Sequence, residues 1–445
     1  MPLSENSSRV RHLLRAFRSR NYCLFVAGQG VSLIGTWMQQ VAMSWLVYRL
    51  TGSVLLLGVI GFTTQIPTFF ISPVAGVLAD RWDRRRLLLA TQSLAMLQAA
   101  FLASVVLTGA VQVWQIISLS LLLGIANAFD IPIRQAFLVE MVEHREDLGN
   151  AIALNSSLVN IARLIGPSIA GVLVATVGEG VCFVLNSISY LAVITAPAGM
   201  RLVANPRHLH QRRHLLHELR EGFQYAFGFA PIRNILILIA QVSLMGMPYA
   251  VLMPVFAKEI LHGDAQTFGF LMSAAGTGAL TGTLFLASRK SVLGLGRVIV
   301  AGGIIFAGGI AAFALSRYFP LSLAALALTG FGAITLIASC NTILQTILDE
   351  NKRGRVMSLF AMAFIGMAPI GSLGAGTAAG IIRPQATLLI GAGSCLLGTL
   401  LFARQLPEIR KQVRPIYIRM GILKEIADGM ETASEAPPLA DIAEK

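Results

Sequence analysis

Apolar runs of about 20 residues or more recur from one end of the chain to the other, and they decide what it can fold into. They occupy 21–49, 53–79, 87–109, 113–137, 149–176 and 180–200, then 231–257, 265–287, 296–316, 321–348, 354–379 and 384–403. A backbone in lipid has to satisfy its polar groups within the segment, so runs of this length are predicted to be helices. Barrel strands would alternate apolar and polar residues over about 10 positions, and no run here does so. Charged residues make up only 13% of the chain, about half the share of a soluble protein, which excludes an ordinary soluble enzyme. Cys23, Cys182, Cys340 and Cys395 all fall inside apolar segments at no ligand-like spacing. They read as small buried hydrophobes, so neither a disulfide nor a zinc site is expected.

The net charge of +13 would suit a nucleic-acid binder only if the cations shared a soluble face. They lie instead between the apolar runs, so no nucleic-acid partner is expected. Roughly 30 of the 35 Lys and Arg fall in the two tails and the even-numbered connections. The odd-numbered connections hold Arg49, Lys258, Arg317 and Arg383, and Arg163 lies within a span. Cations are retained on the cytoplasmic side, so the asymmetry predicts an even number of spans with both termini cytoplasmic. The cations from Arg9 to Arg20 read as the inner flank of the first span rather than as part of a signal peptide.

The expected organisation is an all-α membrane protein of twelve spans. A basic segment at 1–20 leads into a six-helix bundle at 21–200, a polar linker at 201–230, a second bundle at 231–403 and a tail at 404–445. The linker carries His208, His210, His214 and His217, but arginines crowd them and no ligand set is completed, so no metal is expected. The bundles echo each other: Arg20-Asn21 opens one and Arg233-Asn234 the other, and the Gly-Pro stretch at 165–171 has a counterpart at 367–374. Duplicated halves place a substrate site near the midplane between them.

The connection after the second span reads Gly76, Val77, Leu78, Ala79, Asp80, Arg81, Trp82, Asp83, then Arg84, Arg85 and Arg86. This resembles the loop signature of the major facilitator superfamily, with Asp83 standing where the family usually has Gly. The stretch from Asp130-Ile-Pro132 through Arg134-Gln135-Ala136 to Gly166-Pro167 is similar to the enterobactin-exporter-like, or transmembrane secretion effector, branch. Asn341, Gln345, Arg353-Gly354-Arg355 and Ser358 fit it too, and the resemblance covers about 15–405. It implies the two-bundle fold in a bacterial inner membrane and a single-chain exporter of siderophores, drugs or other amphipathic metabolites. It also implies a cytoplasmic latch in which Asp80 faces the start of span eleven and Arg84 bridges to Asp130. On physical grounds alone, Arg81, Arg84 and Arg85 would anchor orientation, and Gly76 would let two helices approach closely. Gly166, Pro167 and Gly171 resemble the span-five motif of family antiporters and would otherwise be an ordinary kinked helix.

Arg163 lies one turn before that motif at a depth where charge is costly, so it faces a cavity or a partner. It either binds an anionic substrate group, pairs a coupling carboxylate such as Asp130, or is held by carbonyls with Asn160 or Asn127. The family fold lines its cavity with spans one, four, seven and ten, which makes Gln29, Trp37, Gln40, Asn127, Gln241, Tyr249, Asn341 and Gln345 the cavity candidates. No phosphate-binding Gly-rich loop is present, so ATP is not expected to drive transport directly, and the resemblance implies proton antiport with no cofactor. A lysophospholipid flippase of the same fold and a facilitative uptake carrier stand as alternatives. A channel, a membrane enzyme and a receptor lack their characteristic features.

Overall fold

In the computed structural model, residues 15–141, 147–196, 200, 223–289, 291–420 and 422 are described, and among them there is no strand. The histidines His208, His210, His214 and His217 of the linker lie outside the described residues. Twelve membrane-length elements follow one another. The first half holds α1 (Arg20–Thr51), α2 (Val54–Arg81), α3 (Arg84–Leu107), α4 (Val113–Met141), α5 (Leu148–Val177) and α6 (Glu179–Thr195). The second holds α7 (Ala230–Ile260), α8 (Ala265–Ala287), α9 (Leu295–Leu315), α10 (Phe319–Ile347), α11 (Glu350–Ile365 continued by Met367–Ile382) and α12 (Pro384–Arg419). Ten are long and apolar enough to cross a membrane. The other two are α6, with 17 residues, and α1, whose 32 residues include Gln29, Gln39 and Gln40.

Local chemistry sets the ends and breaks of these helices. Gly52 takes the left-handed conformation (φ 61°) that closes α1, and Ser53 accepts a hydrogen bond from the Leu56 amide to open α2. Asp264 and Thr267 form a reciprocal capping box at the start of α8. In α7 the α-helix gives way to π-helical turns at Val242–Gly246 and Phe256–Ile260. Pro248 follows the first turn and Pro254 precedes the second, and each lacks the N–H that a regular ladder needs. The break in α11 falls at Gly366, against the ring of Phe69.

The tail is where the chain departs from expectation. The bundle does not end at 403: α12 runs on to Arg419, although 404–419 is rich in charge. Leu406, Ile409 and Val413 share one face of that extension and pack into the second half's core, so an apolar stripe is hidden within a basic stretch.

Within the first half, buried amides tie α1, α3 and α6 together. Gln39 donates to Gln98 (2.9 Å), Asn186 donates to Gln39 (2.7 Å), and Gln98 donates to the Leu119 carbonyl (3.2 Å). Polar groups at this depth persist because each meets a partner.

An even number of crossings puts the start of α1 and the end of α12 on one face, here called the terminal face; the opposite face is the distal one. The halves meet along α2–α11 and α5–α8, where backbones nearly touch. A Cβ added at Gly269 of α8 would lie 2.5 Å from the Pro167 carbonyl oxygen and 2.8 Å from the Gly171 Cα of α5. At Gly376 of α11 it would lie 2.8 Å from the Gly58 Cα of α2. These contacts sit in the distal half of each helix. Gly269→Ala is therefore expected to cost about 1–3 kcal/mol and lower the thermal midpoint of the purified protein. Gly374→Ala, with nothing within 4 Å, should leave it unchanged. Scanning fluorimetry of the two variants checks this, and equal midpoints would count against a tight seam.

Candidate functional site

At mid-depth between the halves stands Arg163, fifteen residues from the start of α5 and fourteen from its end. Its guanidinium carbon lies 5.0 Å from the centre of the Trp37 ring on α1. Among the described residues it forms no ion pair with a carboxylate. Placing Arg at the centre of a membrane helix costs about 2.5–3.5 kcal/mol, and a ring beneath it returns about 0.5–2 kcal/mol. Tyr249 is buried on α7 of the second half. Gln40 is exposed on α1, one turn distal to Trp37. Gly166 makes the pairing possible: a Cβ there would lie 2.6 Å from the Trp37 Cβ. Of the expected group, Arg163 and Trp37 thus meet in the middle of the bundle, and Gly166 of the α5 motif lets them do so, while no contact brings Gln40 or Tyr249 to them among the described residues.

The distal side of this group is closed by contacts across the halves. Tyr48 of α1 donates to Glu259 of α7, and the Lys258 ammonium sits 5.5 Å from the centre of the Tyr48 ring. Trp45 stacks on Phe268 of α8 at 6.3 Å between ring centres. Ser168 and Ser273 hydrogen-bond at 2.7 Å, and Ser273 also donates to the Leu164 carbonyl. Beside them Arg49 pairs with the buried Glu179 at 2.7 Å within the first half.

The loop motif is less fully visible. Gly76, Asp80 and Arg81 lie on the α2 backbone, but their side chains are outside the described residues. Leu78 is half-buried. Asp83, standing where the family usually has Gly, accepts the Arg86 amide at 3.1 Å and caps α3, which opens with Arg84 and Arg85. The predicted Arg84–Asp130 bridge is not among the ion pairs of the described residues. Asp130 instead accepts from the Gln92 amide (2.6 Å), lies 3.3 Å from the Thr91 hydroxyl and pairs with Arg134 one turn along α4 (3.4 Å). The reason is geometric: Asp130 points into a cleft inside the first half, lined by Gln29, Thr36, Asn127 and Tyr190 as well as by these partners.

Three residues expected on the central wall therefore lie within a bundle. Gln29 and Asn127 line the Asp130 cleft, and Gln241 donates to the Ser394 carbonyl (2.7 Å) across α7 and α12. Gln345 donates to Asn341 along α10, with Gln345 exposed and Asn341 half-buried. The carboxylates Glu179 and Glu259 were missed by sequence reasoning. Their signal lay in the sparsely charged connections, where Glu259 follows the distal cation Lys258 and Glu179 is a lone charge between two apolar spans.

The chain matches the transmembrane secretion effector family over residues 14–417, and it belongs to that family, a branch of the major facilitator superfamily. It is a membrane transporter and not an enzyme. It is 26% identical over 353 residues to the staphyloferrin A transporter of Staphylococcus aureus, covering 78% of this chain and 87% of that one. It is 25% identical over 396 residues to the multidrug efflux pump Tap of Mycobacterium tuberculosis, covering 86% and 91%. Among solved structures, a bacterial homolog of the human lysosomal transporter Spinster, inward-facing and unoccupied, overlays with a TM-score of 0.66 at 14% identity. That overlay covers 89% of this chain and 97% of the other, and it shows the shared fold.

If the Tyr48–Glu259 contact helps hold the distal face shut, Tyr48→Phe should weaken closure by about 1 kcal/mol. Spin labels at Ser53→Cys and His262→Cys, one on each half, would then report a larger share of long distances by electron–electron resonance. An unchanged distance distribution would remove this contact from the seal.

Proposed function

We propose that this protein exports small amphipathic molecules, a siderophore, drug or related metabolite, by alternating access across a bacterial inner membrane. The observation that carries the reading is the pair of six-helix halves closed against each other distally, around a mid-depth group headed by Arg163. The relatives that export or move such molecules support it. Cation retention on the cytoplasmic side makes the terminal face the inner one. A distally closed arrangement then admits substrate from within the cell. Rocking of the halves about the α2–α11 and α5–α8 seams exposes the same group outward.

Proton antiport supplies the energy in this proposal, and the chain works as a monomer. Asp130 is the carboxylate placed to couple: protonating it removes its ionic attraction for Arg134 and weakens the hydrogen bond it accepts from Gln92, loosening the α3–α4 packing of the first half. Asp80, at the terminal end of α2, gates entry in this proposal, as the resemblance of its loop motif implies.

Inverted membrane vesicles test this. Uptake of a fluorescent hydrophobic dye should follow an imposed proton gradient and collapse with it. Asp130→Asn should abolish the gradient-driven part, while a slow downhill flux remains. Asp80→Asn should cut uptake several-fold with insertion intact. Uptake indifferent to the gradient would leave a facilitative carrier. No uptake of any amphiphile would end the export reading.

A further inference from the structure

The charges of the described residues gather near the ends of the helices or inside one half. Arg49, Glu179, Lys258 and Glu259 lie at the distal ends, and Asp130 and Arg134 face each other within the first half. Arg163 alone brings a charge to mid-depth between the halves with no carboxylate on it. Its guanidinium is held by a ring face, which orients it and leaves its N–H edge uncommitted, and a guanidinium edge matches a two-oxygen anion bidentately. Trp37 provides an aromatic surface beside it.

We propose that Arg163 and Trp37 form an organic-anion subsite. It takes a carboxylate or phosphate group on Arg163 with the adjoining aromatic or apolar body against Trp37, and it disfavours cations. This rests on the export reading above and names the class of molecule carried. The carbonyl of Arg163 also backs onto α8, where a Cβ at Gly276 would lie 3.0 Å from it. The residue that would hold the anion thus also belongs, by its backbone, to the seam that has to open.

The test uses the full chain in lipid nanodiscs, with empty nanodiscs as blanks, and a shape-matched series: 2-naphthoate, 2-naphthamide and 2-naphthylmethylammonium. Binding is read by calorimetry. Naphthoate should bind at least about tenfold tighter than the amide, and the ammonium weakest. Arg163→Gln should erase the preference for naphthoate while the amide still binds, and Arg163→Lys should keep part of it. Retained amide binding shows that the Gln variant is folded; if it is lost, the wild-type series and the Lys variant decide. Competition by 2-naphthyl phosphate and by lysophosphatidylglycerol separates a soluble phosphate from a lipid headgroup as the anion's source. Equal or tighter binding of the amide or the ammonium to the wild type overturns the proposal, as does an unchanged anion preference in Arg163→Gln. If vesicles export a cationic dye while no anion preference exists, the export reading survives and this inference falls. If naphthoate binds through Arg163 and nothing is exported, the reverse holds.

Discussion

Backbone contact between α5 and α8, and between α2 and α11, governs what the rest of this molecule can do. Lipid gives apolar helices no hydrophobic reason to associate, so packing has to come from dispersion, hydrogen bonds and close approach. At Gly269 and Gly376 the partner's backbone stands where a side chain would begin. Such contacts are strong only when the surfaces are in register, and they vanish together when the halves tilt. That makes the seam a two-state element, and the aromatic and polar contacts at its distal end (Trp45 on Phe268, Tyr48 to Glu259) bias it toward closure.

Polar groups in the interior divide into two kinds by how they are satisfied. Gln39, Gln98, Asn186 and Gln241 meet protein partners within one half, and breaking such a buried pair costs more than forming it gains. They keep each half rigid while the halves move. Arg163 is the other kind, because its ring contact leaves its hydrogen-bonding edge unmatched. Halves held by such pairs and a central guanidinium with no hydrogen-bond partner among the described residues are complementary: the first preserves geometry and the second can take a ligand.

Much of the architecture was legible in the chain itself. Long apolar runs and the cation asymmetry give twelve spans and a common face for the termini, because lipid leaves few alternatives to a helix. Arg163 could be singled out on its own, since a charge at that depth has few explanations. The partners of Asp130 were not legible: an aspartate near a helix end looks the same whether it faces the loop or a cleft, and only the rotation of α4 against α3 turns it toward Gln92. Gln29 and Gln241 were assigned to the cavity for the same reason, as a span's number says which neighbours it has but not which face a given residue occupies. The extension of α12 was hidden because charge dominates the composition of 404–419, while three apolar positions on one face do the packing.

Arg163 joins the two levels of the structure. Its side chain reaches α1, through Trp37. Its backbone meanwhile forms part of the α5–α8 seam beside Gly276. A ligand can shift a two-state equilibrium only through a difference in how it interacts with the two states. On the proposed reading, a residue whose side chain binds the ligand and whose backbone lies in the seam provides that difference without any relay between distant sites. A carrier whose binding group lay away from the seam would need a separate device to report occupancy to the other half. Here the binding side chain and the sliding backbone belong to the same residue.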